Sequence, residues 1–583
     1  MSHVVFHGGP VFTGTGQPLQ GHAVVLRDGR ITAVVPESDI ATHAAPDAER
    51  IDLRGALLAP GFQDAHIHAV GGGVELLQCN LTEAESAAEA VEIVRAYADA
   101  NPAEAHTDEE WILGGGWSMD HFPGGAPVRT LLDEAAPGRP VLLLSRDHHS
   151  AWASTAAIER AGLDATTADP ADGRIEREAD GYPAGTFHEG AGDLFEAVRP
   201  ATDGDLAYRG LLRAQDELIA LGITGWQDAM VGQGTAGIAD PLPVYERALA
   251  EGTLAVHVTG AQWWTRSGGL EQVEHMTAER ERIAALTPAG RLSVGTTKIM
   301  VDGVAENQTA AMLTPYRDAH GHDTCNHGLS FIDPENLRDY VTALDAAGQQ
   351  VHMHALGDRA VREGLDALAA AREANGETDG RHHLAHLQIV AEEDVPRFTE
   401  LDATANLQAL WATHEDQLDE LTLPFLQDGQ EARQYPFGDF VRAGARLAAG
   451  SDWPVSDASP LAAVHIAVNR TYPGSEQGPL GGAHQCLDLA TALAAYTSGS
   501  ARVNHRDHDT GSIRAGYLAD LVVIDPDPFA APASDIHRSQ VVATWIGGRP
   551  VFTRATASAP ATPAASETAT SETAASVTPG ESS

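Results

Sequence analysis

Hydrophobic and polar positions alternate with a two-residue period near both ends of the chain and group differently between them. The stretch His22–Val35, HAVVLRDGRITAVV, reads as two strands around the turn Asp28-Gly29. Gly511–Ile524 and Val541–Val551 have the same character near the other end. Two β-rich ends around a long α/β centre predict one small β-sandwich domain assembled from residues 1–56 and 510–554. In the centre, short apolar runs alternate with alanine-rich helical patterns, the signature of βα repeats. Eight such runs end at 64–68, 226–228, 258–260, 298–301, 351–354, 383–386, 405–408 and 448–452, which predicts an α/β fold with a (β/α)8 TIM barrel across residues 57–509. The interval from about 72 to 215 is too long for one βα unit and carries its own strand patterns at 111–113 and 141–145. It is expected to be an insertion over the barrel mouth after the first barrel strand. Beyond Phe552 the pattern gives way to Ala, Thr, Ser, Glu and Pro with no aromatic residue, so 555–583 is expected to be a disordered tail.

Composition narrows the function. A hydrophobic content of 43% supports a full core, and a net charge of −45 leaves no basic stripe to neutralise phosphates, which excludes a nucleic-acid partner. Three cysteines, Cys79, Cys325 and Cys486, are too few and too scattered for a disulfide framework or a cysteine zinc site. With no charged leader before an apolar segment and no run of 18 apolar residues, a cytoplasmic protein without a membrane partner is expected. The basic residues hold a sharper signal. Of 37 Lys and Arg residues all but Lys298 are arginine. A lysine amine, unlike a guanidinium, can lose its proton and add carbon dioxide to become an anionic carbamate. Lys298 lies in the β-branched, apolar run Thr296-Thr-Lys-Ile-Met-Val301, the pattern of a buried strand.

The predicted strand ends carry the rest of the chemistry. His66 and His68 are two apart on the first strand, so both imidazoles face the same way, at the end where barrel enzymes keep their sites. His352 and His354 repeat the spacing on the fifth strand, and His383 and His386 close the sixth. Depth along the strand favours His354 and His386 as ligands and leaves His352 one layer deeper. Asp452, in Gly450-Ser-Asp-Trp-Pro454, places a carboxylate at the rim of the eighth. Four imidazoles, a carboxylate and a convertible lysine at the ends of five strands point to a metal centre of one or two divalent ions, with zinc the expected metal. A carboxylated Lys298 could give one oxygen to each of two cations.

With these motifs, together with Asp302-Gly303, Thr309-Ala310, His354-Ala-Leu-Gly-Asp358, His386-Leu-Gln388 and Gly516–Val523, the chain resembles the metal-dependent amidohydrolase superfamily. Within it, the similarity is to the amidohydrolase 3 group that includes YtcJ-like proteins and N-substituted formamide deformylases, over residues 3–552. The resemblance implies a distorted barrel beside a small β-sandwich. It also implies that His66, His68 and Asp452 hold one metal, that His354 and His386 hold a second, and that Lys298 lies between them. Two departures are visible: Ala385 stands where the family commonly has an acidic residue, and His148 and Ser154 replace a glycine and an asparagine of its Asp-Gly-His segment. The implied activity is hydrolysis of a non-peptide carbon–nitrogen bond in a small molecule, of an N-substituted formamide or N-acyl amine type. Asp452 would act as the catalytic acid–base. His149, Glu189, Trp117 and Trp453 are the candidate substrate contacts, with Trp411 a further pocket tryptophan. Ester or lactone hydrolysis or isomerisation on the same centre, and a metal-free scaffold, are the alternatives. A homodimer is compatible with this picture.

Overall fold

The computed structural model describes residues 3–103, 107, 110–233, 240–287 and 290–554; the expected tail at 555–583 lies outside the described residues. The chain is α/β, and its centre is an eight-stranded parallel sheet curled into a nearly closed barrel. The strands are β1 (Phe62–Ile67), β2 (Ile223–Val231), β3 (His257–Trp263), β4 (Leu292–Met300), β5 (Gln350–Ala355), β6 (His383–His386), β7 (Thr404–Leu407) and β8 (Arg446–Ala449). They pair in sequence order from β1 round to β8. The seam between β8 and β1 is bridged by residues just beyond the strands. The Asp452 amide donates to the His66 carbonyl at 2.7 Å, and the His68 amide donates to the Trp453 carbonyl at 2.9 Å. From within β7, the Asn406 side chain also reaches across to donate to the Ala65 carbonyl of β1 at 3.0 Å. Closing the seam thus presses the Asp452 segment against the two histidines of the first strand's end.

Helices cover the barrel because their apolar residues recur on one face. Gly204–Ala220 buries Ala207, Leu211, Ala214 and Leu218, at helical spacing, into the main core. Its partner, Ala69–Glu75, contains Gly71-Gly-Gly73 and is buried throughout. A side chain at Gly73 would strike the Gly210 carbonyl at 1.9 Å, and one at Gly72 would strike the Trp453 ring at 2.5 Å. These glycines let the first helix after β1 lie flat against its neighbour.

Two four-stranded sheets flank the barrel. One is formed by His3–His7, His22–Arg27, Arg30–Pro36 and Glu49–Asp52, the other by Leu57–Pro60 with Leu521–Asp525, Gln540–Ile546 and Arg549–Thr553. Val4, Phe6 and Leu26 of the first share a core with Leu58, Leu521 and Trp545 of the second. Phe6 meets Trp545 edge to face at 5.1 Å. A six-stranded sheet occupies residues 79–189, between β1 and β2. Its hairpin Val141–Ser145 and Ser150–Ala153 and its strand Pro183–Glu189 aim their ends at the barrel mouth. No helix among the described residues is long and apolar enough to cross a membrane.

Candidate active site

The candidate ligands meet at the C-terminal ends of the barrel strands. His66 is the last inward-facing residue of β1. The strand ends at Ile67, one residue sooner than the pattern predicts, and His68 caps the following helix with φ −120° and ψ 63°. The turn still brings both Nε2 atoms onto one oxygen: Asp452 Oδ1 lies 3.1 Å from His66 and 3.2 Å from His68. The ligating atoms of these three residues all fall within 4.8 Å of one another. Lys298, at the end of β4 and 2% exposed, places Nζ 3.3 Å from His66 Nε2. His386 closes the other side, with Nδ1 3.9 Å from Asp452 Oδ2 and its ring 4.4 Å from that of His354.

The donor set fits a first-row divalent cation. Both ring nitrogens of His386 are buried without a hydrogen-bond partner, as are Nδ1 of His68 and Nδ1 of His354. Burial holds His66, His354 and His386 neutral, His66 with a pKa lowered to about 3, and neutral imidazole is the form that ligates. Asp452 is held ionised well below its usual range, because the surrounding imidazoles outweigh its burial. Burial lowers the Lys298 amine to about 7, so its neutral form is accessible near physiological pH. The residues that would hold a metal are therefore present in the right protonation states.

Side chains packed behind the cluster hold this arrangement in place. His352, one layer down, lies with Nε2 3.0 Å from His66 Nδ1 and Nδ1 2.7 Å from Gln227 Oε1. It holds the ring of the candidate ligand His66 in place from one layer below. The buried Asp302 carboxylate accepts from the amides of Ala311, Leu356 and Gly357 and sits 3.3 Å from His354 Nδ1. Gln408, just past the end of β7, accepts from the His386 amide at 2.6 Å, so an amide stands there where other strand ends carry candidate ligands.

The insertion covers the cluster and completes a cavity of about 200 Å³. His149 and Glu189, forty residues apart in sequence, meet at 2.9 Å, and Thr309 Oγ1 donates to the other carboxylate oxygen at 2.7 Å. Although burial opposes both shifts, the pairing raises the His149 imidazole to about 9 and lowers the Glu189 carboxyl to about 2. His148 reaches 2.7 Å from Glu75 Oε1. Four residues of this cavity occupy the left-handed backbone region: His148 (φ 62°), Glu189 (φ 51°), His386 (φ 78°) and Asp452 (φ 58°). Such conformations are costly for non-glycine residues and gather where the surrounding fold over-determines them. At His148 this explains the departure from glycine: the backbone keeps a conformation glycine favours, and the side chain adds an ion pair.

Of the three tryptophans expected at the pocket, Trp411 and Trp453 line cavities there and Trp117 does not. It is wholly buried in the insertion core against Phe122 and Trp152, with its indole donating to the Leu143 carbonyl at 2.9 Å, so its place as a substrate contact is withdrawn. Trp453 lines an adjoining larger cavity. Trp411 lines both cavities and stacks on His386, with ring centroids 5.4 Å apart and planes at 14°. Arg266, which no motif singles out, also reaches the inner cavity from the loop after β3, its guanidinium 3.6 Å over the Phe331 ring.

The comparisons agree with this geometry. The amidohydrolase family model matches residues 49–552. The chain is 27% identical to the YtcJ protein of Bacillus subtilis over 94% of this chain and 99% of that one. It is 28% identical to the N-substituted formamide deformylase of Arthrobacter pascens, over 90% and 94%. The fold is shared with an uncharacterized metal-dependent hydrolase from Pyrococcus horikoshii OT3, at a TM-score of 0.68 and 22% identity over 91% of this chain and 99% of that one. The chain belongs to the amidohydrolase family and is a hydrolase.

Proposed function

We propose that this hydrolase cleaves a non-peptide carbon–nitrogen bond in a small amide-type molecule, an N-substituted formamide or N-acyl amine. The observation that carries the reading is the convergence of the His66 and His68 Nε2 atoms on one oxygen of Asp452, with the Lys298 amine 3.3 Å from His66. His66, His68 and Asp452 would hold one divalent ion, and His354 and His386 a second, with a carboxylated Lys298 between them. Imidazole and carboxylate donors suit zinc, and also iron or manganese. Divalent ions bound there would supply a water acidified toward neutral pH and Lewis-acid polarisation of a carbonyl.

The chain's own groups do the rest. Asp452, ionised and ringed by imidazoles, accepts the proton of the attacking water with its free capacity and returns it to the nitrogen of the leaving amine. Glu189 fixes His149 through Nδ1 and leaves the other ring nitrogen to donate to the substrate oxygen as charge grows there. The inner cavity of about 200 Å³ admits an acyl group and little else, which favours a formyl or short acyl substrate. The test is a panel of N-formyl amines, N-acyl amines, small esters and lactones on zinc- or manganese-loaded protein, before and after chelation. Amide turnover that disappears with the metal and returns with it is expected. Turnover confined to esters or lactones would replace the carbon–nitrogen reading.

A further inference from the structure

The inner cavity shares a wall, formed by Asp147, Val304, Leu356, Trp411 and Val455, with an outer cavity of about 760 Å³. Nine carboxylates line the outer cavity and Arg146 is its sole Lys or Arg side chain, a far greater acidic excess than the 82 to 37 of the whole chain. The general acidity of the protein therefore does not account for it. Arg146 is committed to the Thr82 carbonyl, 3.1 Å away.

Two of these carboxylates are set into the wall without a close ion pair. Glu306 and Glu415 are both half-buried, and neither has a cationic side chain within 4.0 Å among the described residues. Glu306 accepts from Thr422 Oγ1 at 2.9 Å, and Glu415 from the Tyr472 hydroxyl at 3.3 Å. Burial, with Glu306 adding to it, raises the Glu415 carboxyl to about 7, and burial, with Asp147 adding to it, raises that of Glu306. Beside them Gln388, 1% exposed, lines the cavity with a side-chain nitrogen that has no partner in the protein. Trp411, Trp453 and Tyr472 supply aromatic surface. Unpaired carboxylates and aromatic faces in one cavity make a receptor for an organic ammonium group, and the free Gln388 N–H offers a donor to an acceptor oxygen on the same ligand.

We propose that the outer cavity binds a cationic amine on the substrate, so that the enzyme selects N-formyl or N-acyl derivatives of diamines over neutral amides. The amide end reaches the inner cavity past Trp411, while the uncleaved ammonium rests between Glu306 and Glu415. This inference rests on the hydrolytic reading for its substrate, and on the cavity alone for its binding.

Both parts are tested on full-length, metal-loaded protein with three probes: N-formylcadaverine, its neutral isostere N-formylhexylamine, and cadaverine, which has no bond to cleave. The expected result is a kcat/KM for N-formylcadaverine about tenfold or more above that for the isostere. Calorimetry should show saturable cadaverine binding that weakens by a similar factor in high salt. In Glu306→Gln/Glu415→Gln the kcat/KM ratio should fall toward one and cadaverine affinity should drop. Glu281→Gln, an exposed charge elsewhere, should leave cadaverine affinity in place. Glu415→Gln alone, with an unfolding midpoint, guards against a double variant that fails to fold. Cadaverine that binds while neither formamide turns over would sink the hydrolytic reading and keep the subsite. Formamides cleaved without preference, together with absent or mutation-insensitive cadaverine binding, would overturn the subsite and keep the hydrolase.

Discussion

Lys298 concentrates the chemistry at the scale of a single side chain. An amine that is 2% exposed, with its pKa lowered to about 7 by burial against the opposing pull of Asp452, has no carboxylate within 4.0 Å among the described residues. Its nearest polar neighbour is the Nε2 of a candidate ligand, His66. Conversion to a carbamate would turn a poorly solvated cation into an anionic ligand. Lys298→Arg should therefore lose activity as fully as Lys298→Ala, by about two orders of magnitude or more, since a guanidinium keeps the charge and cannot form the carbamate. Adding a short carboxylic acid to Lys298→Ala should restore part of the rate, and steady-state turnover with metal content measured alongside checks both outcomes. His66→Ala and His68→Ala should lose metal and activity together, read by elemental analysis and turnover. Activity retained without metal would remove the metal from the reaction.

Elements matter here through what their ends carry. The barrel strands deliver the candidate ligands, and the insertion sheet delivers His148, His149 and Glu189 from a hairpin loop and a strand end. That sheet's outer hairpin, Gly173–Arg177 with Pro183–Glu189, is tied by Glu176 Oε1, 3.2 Å from His188 Nε2. The bond to His188 is the largest cause that lowers the Glu176 carboxyl to about 2, with Arg174 adding to it against burial. A depressed carboxylate pKa adds stability that is present above the unfolded value of about 4.5 and is lost as pH falls through about 2. Glu176→Gln should therefore lower stability at neutral pH slightly and flatten the acid side of the stability profile in that window. Urea unfolding at a series of pH values measures it. Identical acid limbs for the variant and the parent would show that the pair is too solvated to matter.

For the whole molecule, the net charge of −45 is the dominant long-range quantity. Self-repulsion at that charge destabilises the compact state and is screened within about 10 Å at 0.1 M salt. Tm should rise with sodium chloride from low salt to about 1 M, and then level off. A flat or falling Tm would mean that local ion pairs, such as Arg282 with Glu246 at 2.6 Å, outweigh the repulsion. A chain ending at Arg554 should match the full-length protein in unfolding midpoint and turnover, because residues 555–583 offer no apolar face to bury. A large drop in either would show that the tail docks on the body.

Periodicity and residue chemistry were enough to determine the α/β class, the eight barrel strands and the candidate ligands, because each of those signals is local. A two-residue spacing decides which way side chains face, and a lone lysine among arginines stands out without a fold. Contacts between distant segments could not be read that way. Only the folded chain brings Asp452 onto His66 and His68 across the barrel seam, pairs His149 with Glu189 and commits Trp117 to the insertion core. Local sequence is equally silent on backbone strain: His148, Glu189, His386 and Asp452 are held at positive φ by packing that spans the molecule. The outer cavity follows the same rule. Glu306 and Glu415 lie more than a hundred residues apart, and they act on one another only because tertiary structure sets both into one half-buried wall.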